Sequence, residues 1–439
     1  MRVRAASAIA LFVMLVGAAV TATAEAAITS VSVVSSTELG AFDHRDYREV
    51  VIRMVGTAPG GAYDVPVTLA FPEKSKDYSG VAVVDVINMS FVTAAVVPAP
   101  ATRVPMPLAR VQMGDEYLFG SGHAYVGVHW DKGAVERLGI GTIAAAGDGF
   151  SILRDAAALA RDPAQVASNG RPEASRKVIV YGFSQTGNLV RGFYHTHQNT
   201  LGGILAFDGA LFGSADGRCI VRPLPSFTCS GSVSDGGKVI AFAAETDAER
   251  GSFLERGETS DYRFFDIAGA AHIPRGVVAF HDAPNQNPIL LGSAIRAALR
   301  NLIAWTDGTE PPASSYIELA PEQSLAFGRP FRQAIRDADG NAIGGLRLPH
   351  MTAMDESGEI GSPLGSYRGS DPAQTDFFLW LGGRFTPFDS ARLDSLYPSH
   401  GTYIERVAKA AHRLVQRREL LQEDAKAYIR EAAHSTIGK

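Results

Sequence analysis

Val178-Ile179-Val180-Tyr181-Gly182-Phe183-Ser184-Gln185-Thr186-Gly187 is the stretch on which the reading of the fold turns. A β-branched apolar run enters Gly-x-Ser directly, and residues 188–197 beyond it have helical character. A serine on a sharp turn between a buried strand and a helix is forced out of the sheet, with its hydroxyl exposed at the strand's C-terminal end. Such a turn is crowded and its central residue tends toward strained backbone angles, so small neighbours are required. The helix behind it offers a positive N-terminal end, and the NH of Gln185 would face a developing oxyanion. Thr186 stands where Gly-x-Ser-x-Gly has its second glycine, and Gly187 comes one place later. A second Gly-x-Ser, Gly149-Phe150-Ser151, has no strand leading into it and reads as the start of a helix carrying Ile152, Ala156 and Leu159.

Outward from this turn, short apolar runs alternate with helix-like segments. Residues 81–87, 124–130, 177–181, 204–207, 239–243 and 263–267 read as strands, and the first has the continuous β-branched character of a strand buried on both faces. A helix ends before Pro163, and a closing helix with Ile295, Leu299, Leu302 and Ile303 ends near Gly308. The alternation predicts an α/β fold, a mostly parallel sheet covered by helices on both faces. Residues 30–55 and 63–71 read as further strands, antiparallel at one edge. The expected organisation is a core over 27–312 and a C-terminal extension over 313–439 packed on it. That extension is rich in Gly, Pro and Asp up to Pro398. It then becomes helical, with Ile404, Val407, Ala411, Leu414 and Val415 on one stripe.

A serine hydroxyl needs a base within hydrogen-bond reach. Among eleven histidines, His272 follows the 263–267 strand through Ala268-Gly269-Ala270-Ala271, which places it on the same rim as Ser184, 88 residues later. His195 and His197 fall on the helix after the serine, and no carboxylate cluster accompanies them as a metal site would require. The base in turn needs an acid. Ala244-Glu245-Thr246-Asp247 follows the 239–243 strand, between serine and histidine in chain order. Asp247 is the first choice for that acid and Glu245 the alternative, with Asp208 third; a carboxylate not so used would hold the loop through backbone NH groups. The second oxyanion donor is expected from Asn88 or Met89, at the end of the 81–87 strand. Asp337-x-Asp339-x-Asn341 imitates a calcium loop, but Ala342 and Leu348 replace its glycine and glutamate, so it reads as a turn.

Taken in order, Asn88, Trp130, Gly-Phe-Ser-Gln-Thr-Gly at 182–187, Phe207-Asp208-Gly209, Glu245-Thr246-Asp247 and Ala268-Gly269-Ala270-Ala271-His272 resemble a bacterial family of α/β-hydrolase domain proteins, the alpha/beta hydrolase domain 10 type. The likeness continues through Trp305-Thr306-Asp307-Gly308, Pro311-Pro312 and 340–349, then Gly382-Gly383-Arg384-Phe385-Thr386-Pro387-Phe388 and Leu396-Tyr397-Pro398. The resemblance implies a serine-hydrolase fold, the α/β-hydrolase fold, and supplies no substrate.

Length and composition set the outer limits. With 439 residues, 46% of them hydrophobic and 20% charged, the chain is of ordinary globular composition, not disordered, collagen-like or disulfide-dense. A net charge of −5 and the lack of a long Lys or Arg run argue against a nucleic-acid partner. Residues 1–26 read as an export signal. Arg2 and Arg4 precede an apolar run, and Ala24-Glu25-Ala26, or Ala22-Thr23-Ala24, offers small residues at the cut. An uncleaved anchor is the competing reading, because no charge interrupts residues 5–24. With the signal removed, no stable membrane span is expected. Cys219 and Cys229 are the two cysteines, ten residues apart, and in an oxidising compartment they form a disulfide candidate. Free buried thiols are the alternative, and two residues are too few for a metal site.

These features predict an exported (periplasmic or secreted) serine hydrolase, in which Ser184, Asp247 and His272 cleave a small-molecule or polymeric carboxylic ester through an acyl-enzyme, with no metal or organic cofactor. The competing readings are an amide, thioester or polymer-ester hydrolase with the same triad, a lyase using it, and a non-catalytic binding module that keeps the fold.

Overall fold

The computed structural model describes residues 27–89, 92–93, 102–103, 106–166, 172–213, 216–221, 226–273, 285–350 and 361–439, so the expected signal segment lies outside the described residues. Every residue of β4 (Val81–Val86) is buried, as a continuous apolar run requires when both faces of its strand are covered. The other principal strands are β1 (Ala27–Phe42), β2 (Arg45–Ala58), β3 (Gly61–Pro72), β5 (Ala124–Val128), β6 (Lys177–Phe183), β7 (Gly209–Gly213), β8 (Lys238–Ala244) and β9 (Tyr262–Ile267). They lie in the order β1-β2-β3-β5-β4-β6-β7-β8-β9, and Thr142–Ile143 pairs beside β3 as a tenth short strand.

From β5 to β9 the neighbours are parallel, and β1, β2 and β3 form the antiparallel edge expected from the sequence. Helices α1 (Gly149–Arg161), α2 (Gln185–His195) and α3 (Gly292–Thr306) pack on this sheet, with Ile295, Leu299 and Leu302 of α3 buried in the core. The fold is the α/β-hydrolase fold. Among the described residues, no helix is long and apolar enough to cross a membrane.

One strand differs from its sequence reading. The run 204–207 is a loop, and the strand is Gly209–Gly213. The more apolar segment misleads because β7 lies between β6 and β8 with glycine at both of its ends, where a side chain does not fit. A Cβ on Gly213 would stand 2.2 Å from the Phe242 ring, and one on Gly209 would stand 3.0 Å from Leu302. Asp208 therefore precedes its strand instead of ending it. Its carboxylate accepts the Val178 NH at 2.7 Å and pairs with Arg161 at 2.9 Å, at the end of the sheet opposite Ser184. This removes it from the candidates for the acid.

Chain beyond residue 312 continues the core. Ser315 and Leu346 bridge in parallel to Phe265 and Ile267, covering the outer edge of β9. Helices α4 (His400–Gln416) and α5 (Gln422–His434) bring Ala411, Leu414 and Ala425 into the same hydrophobic cluster as the sheet. Asn301 donates to the Arg418 carbonyl at 2.8 Å and Arg296 to Asp424 at 3.1 Å, which ties these helices to α3. The Asp337 carboxylate accepts the NH groups of Asp339 and Asn341, a turn closed by its own side chain. Cys219 and Cys229 form a disulfide across the Arg218–Cys219 and Phe227–Thr228 ribbon.

Candidate active site

At the end of β6 the chain turns sharply, and Ser184 takes φ 60° and ψ −119°, a region a serine occupies only under constraint. Three features impose it. The Ser184 NH donates to the Gly213 carbonyl at 2.9 Å. A Cβ on Gly187 would meet that same carbonyl oxygen at 2.5 Å, so only glycine lets the helix start this close to β7. Thr186, which departs from the usual glycine, closes the turn with its hydroxyl, accepting the Phe183 NH at 3.0 Å and donating to the Phe183 carbonyl at 3.1 Å.

The serine, the histidine and the first-choice acid converge. Ser184 Oγ stands 3.0 Å from His272 Nε2, and His272 Nδ1 stands 2.9 and 3.0 Å from the two oxygens of Asp247. Both His272 and Asp247 are buried, and the Phe183 ring lies 5.1 Å from the imidazole, shielding it. With its proton on Nδ1 donated to Asp247, the imidazole presents a lone pair to the serine hydroxyl.

Glu245, the alternative acid, holds the neighbouring backbone. Its carboxylate accepts the NH groups of Gly269 at 2.7 Å and Gly369 at 3.0 Å, and it pairs with Arg336 at 2.6 Å. Glu245, Asp247 and Glu249 share the buried helix Glu245–Glu249, and only Asp247 meets the histidine. Burial, with the Glu245 charge adding to it, pushes Glu249 up to about 7.

The expected oxyanion donors separate. Asn88 is not one of them: its NH donates to the Met106 carbonyl at 3.1 Å and its side-chain amide to the Phe183 carbonyl at 2.7 Å. Its place is a brace between the loop and β6. The Met89 NH meets the Gln185 side-chain oxygen at 3.3 Å, a contact with the first residue of α2. His195 lies within 4.8 Å of the sulfurs of Cys219 and Cys229, but both are committed to the disulfide. His197 is exposed and faces Asp235.

Sequence reasoning missed the supports. Thr246 Oγ1 accepts the His272 NH at 3.1 Å and donates to the Gly369 carbonyl. Asn287 donates to the carbonyls of Gly269 and Arg368. Arg336, Gly369 and Asn287 are remote in the chain from the serine motif, and no local pattern marks them. A cleft of about 800 Å3 lined by Met113, Tyr117, His123, Arg296, Arg300 and Ile303 contains none of the three site residues. It lies by the N-terminal end of β5, which His123 directly precedes.

A strand-turn-helix serine in line with a histidine and an aspartate, on a sheet of this order, defines an α/β hydrolase. The sequence model of the family described as alpha/beta hydrolase domain matches residues 51–430, and the chain belongs to that family. No curated protein matches it. Among solved structures, it is similar to the rice cell wall degrading esterase LipA from Xanthomonas oryzae, at 17% identity and TM-score 0.29, covering 42% of this chain and 50% of that one. It is also similar to a promiscuous CE15 esterase from a marine bacterial metagenome, at 13% identity and TM-score 0.29, covering 51% of this chain and 70% of that one. The bacterial brefeldin A esterase is matched at 14% identity and TM-score 0.22, covering 47% and 43%. The chain thus spans about half the length of LipA, and likenesses this distant carry no argument about activity.

Proposed function

We propose that the chain is an exported serine hydrolase that cleaves a carboxylic ester through an acyl-enzyme intermediate. The observation that carries this reading is the series Ser184 Oγ to His272 Nε2 at 3.0 Å and His272 Nδ1 to Asp247 at 2.9 Å. His272 takes the hydroxyl proton as Ser184 attacks the ester carbonyl, and Asp247, remaining ionised, fixes the tautomer and offsets the imidazolium charge. The NH of Gln185, at the positive end of α2, and that of Met89, once the Gln185 side chain swings aside, hold the oxyanion. His272 then protonates the departing alcohol, and water repeats the sequence to free the acid. No step calls for a metal or an organic cofactor. The Cys219–Cys229 disulfide supports an oxidising compartment, in keeping with residues 1–26 as a signal.

The test is labelling by a fluorophosphonate together with p-nitrophenol release from acetate, butyrate and longer esters. Labelling that vanishes in Ser184→Ala, with release on at least one ester, is expected. A folded sample that does not label overturns the serine mechanism, and labelling without release at any chain length overturns the ester. Mass measurement of the exported protein is expected to place its first residue at 25 or 27; a chain still starting at Met1 overturns cleavage.

A further inference from the structure

We propose that Arg336, in the C-terminal part of the chain, is a positioning residue for the catalytic array; this rests on the reading of Ser184, His272 and Asp247 given above. The helix that carries Asp247 has a buried carboxylate at each end, Glu245 and Glu249. Charges of one sign held together away from water need a counter-charge. It arrives from 91 residues further along the chain: Arg336 Nη2 is 2.6 Å from Glu245 Oε1 and 3.3 Å from Glu249 Oε1. Its Nη1 meets the carbonyls of Gly340 and Tyr367 at 3.2 and 3.4 Å, which anchors the guanidinium in the C-terminal segment.

The carboxylates pass this anchorage on. Glu245 Oε2 accepts the NH of Gly269, in the loop that ends at His272. Its Oε1 also accepts the NH of Gly369, while Glu249 accepts the Ala334 NH at 2.9 Å and the Ser370 hydroxyl at 2.8 Å. The acid's helix and the histidine's loop are therefore both fastened to residues 334–370, and among the described residues the one cation bridging the two glutamates is Arg336. Removing it leaves the two buried carboxylates without the donor they share and free to move apart, and the Gly269 NH shifts with Glu245. A displacement of about 1 Å at a catalytic group lowers rate by roughly 100-fold without touching substrate.

The experiment compares Arg336→Gln and Arg336→Lys with the wild-type full chain, each assayed at a temperature where thermal melting shows it folded. Expected for Arg336→Gln is a kcat and a fluorophosphonate labelling rate lower by roughly 10- to 100-fold, with KM within about two-fold. Arg336→Lys, which keeps the charge but not the fork, is expected to recover part of the loss and to leave kcat several-fold below the wild type. A proton spectrum supplies a readout independent of turnover. The low-field resonance of the His272 Nδ1 proton, lost on Asp247→Asn, is expected to shift or broaden in Arg336→Gln and to return in Arg336→Lys. Wild-type kcat and an unmoved resonance in folded Arg336→Gln overturn the proposal. Should Arg336→Gln fail to fold, Arg336→Lys decides: a several-fold loss of kcat at constant KM supports positioning, and wild-type kcat overturns it. If the wild type itself does not label, the hydrolase reading falls, and the resonance alone decides whether Arg336 holds His272 against Asp247.

Discussion

At the scale of single residues, two carboxylates two positions apart have been given different work by their surroundings. Among the described residues the Asp247 carboxylate bonds the His272 imidazole, while Glu245 is saturated by two backbone NH groups and an arginine. Asp247→Asn keeps the size of the side chain but reverses the hydrogen-bond role facing Nδ1, so it is expected to lower kcat by about 10,000-fold with little change in melting temperature. Glu245→Gln keeps an oxygen for one NH and loses the pairing with Arg336. Its larger expected effect is on stability, by roughly 3 kcal/mol, read by chemical denaturation. If Glu245→Gln instead stops turnover in a fully stable protein while Asp247→Asn retains it, the two roles are exchanged. The sequence made Ser184, Asp247 and His272 legible because each stands just past a strand that its own neighbours announce. Asn88 was misread because a position in a loop says nothing about whether an NH is already bonded, and here the bond goes to Met106. Thr246 and Arg336 left no local signal, since their partners come from other parts of the chain.

At the scale of elements, the alternation of apolar runs revealed the sheet, its parallel character and its antiparallel edge, because strands buried on both faces are written as unbroken apolar segments. β7 escaped for the opposite reason. Its Gly-Ala-Leu-Phe-Gly sequence is shaped by close approach to β8 and to the serine turn, which suppresses the usual β signal. The turn itself is a packing problem solved with glycine. Gly187→Ala pushes a methyl into the Gly213 carbonyl, which is backbone and cannot rotate away. Ser184 must then move, since its NH bonds that carbonyl. The expected outcome is a kcat lower by roughly 100-fold in a protein that still folds; unchanged kcat would mean that α2 can start further from β7. The disulfide ribbon beside α2 is held differently. Ile220 donates to the Asn188 carbonyl at 3.0 Å, so the ribbon is docked by backbone as well as closed by sulfur. For a loop of ten residues, losing the cross-link in Cys219→Ser/Cys229→Ser is expected to cost about 3 kcal/mol of stability with the site geometry kept. Equilibrium unfolding in urea measures it, and a loss of kcat at constant stability would contradict this division.

At the scale of the whole molecule, burial sets two opposing pH dependences of stability. Asp85, at the centre of the sheet, accepts the Ala109 NH at 3.0 Å and the Tyr125 hydroxyl at 3.1 Å while its Oδ1 is unpartnered. Burial pushes it up to about 7, against the pull of those bonds and of Arg110. The unfolded chain releases that proton near pH 4, so between about pH 4 and 7 the folded state binds the extra proton and stability falls as pH rises. His123 and His129, pressed by burial down to about 4, work in the other sense. Unfolded they take up protons below about 6.5, so their contribution is lost as pH falls from there to about 4. Glu249 and Glu255, pushed by burial to about 7, and Asp155 and Asp266, pushed to about 6, act in the same sense as Asp85, so Asp85→Asn removes only Asp85's share of the first dependence and leaves the second. Urea unfolding of the two proteins from pH 4 to 8 is expected to give curves that separate with rising pH, by at most about 1.4 kcal/mol per unit and about 4 kcal/mol in all. The variant gains on the wild type toward pH 8. At pH 4, where Asp85 is protonated in the folded state and about half so in the unfolded one, the variant has almost no such advantage. Curves that stay parallel over that range would show that Asp85 titrates alike in the folded and unfolded chain. The centre of the sheet would then be open to water at β4, against the complete burial of that strand.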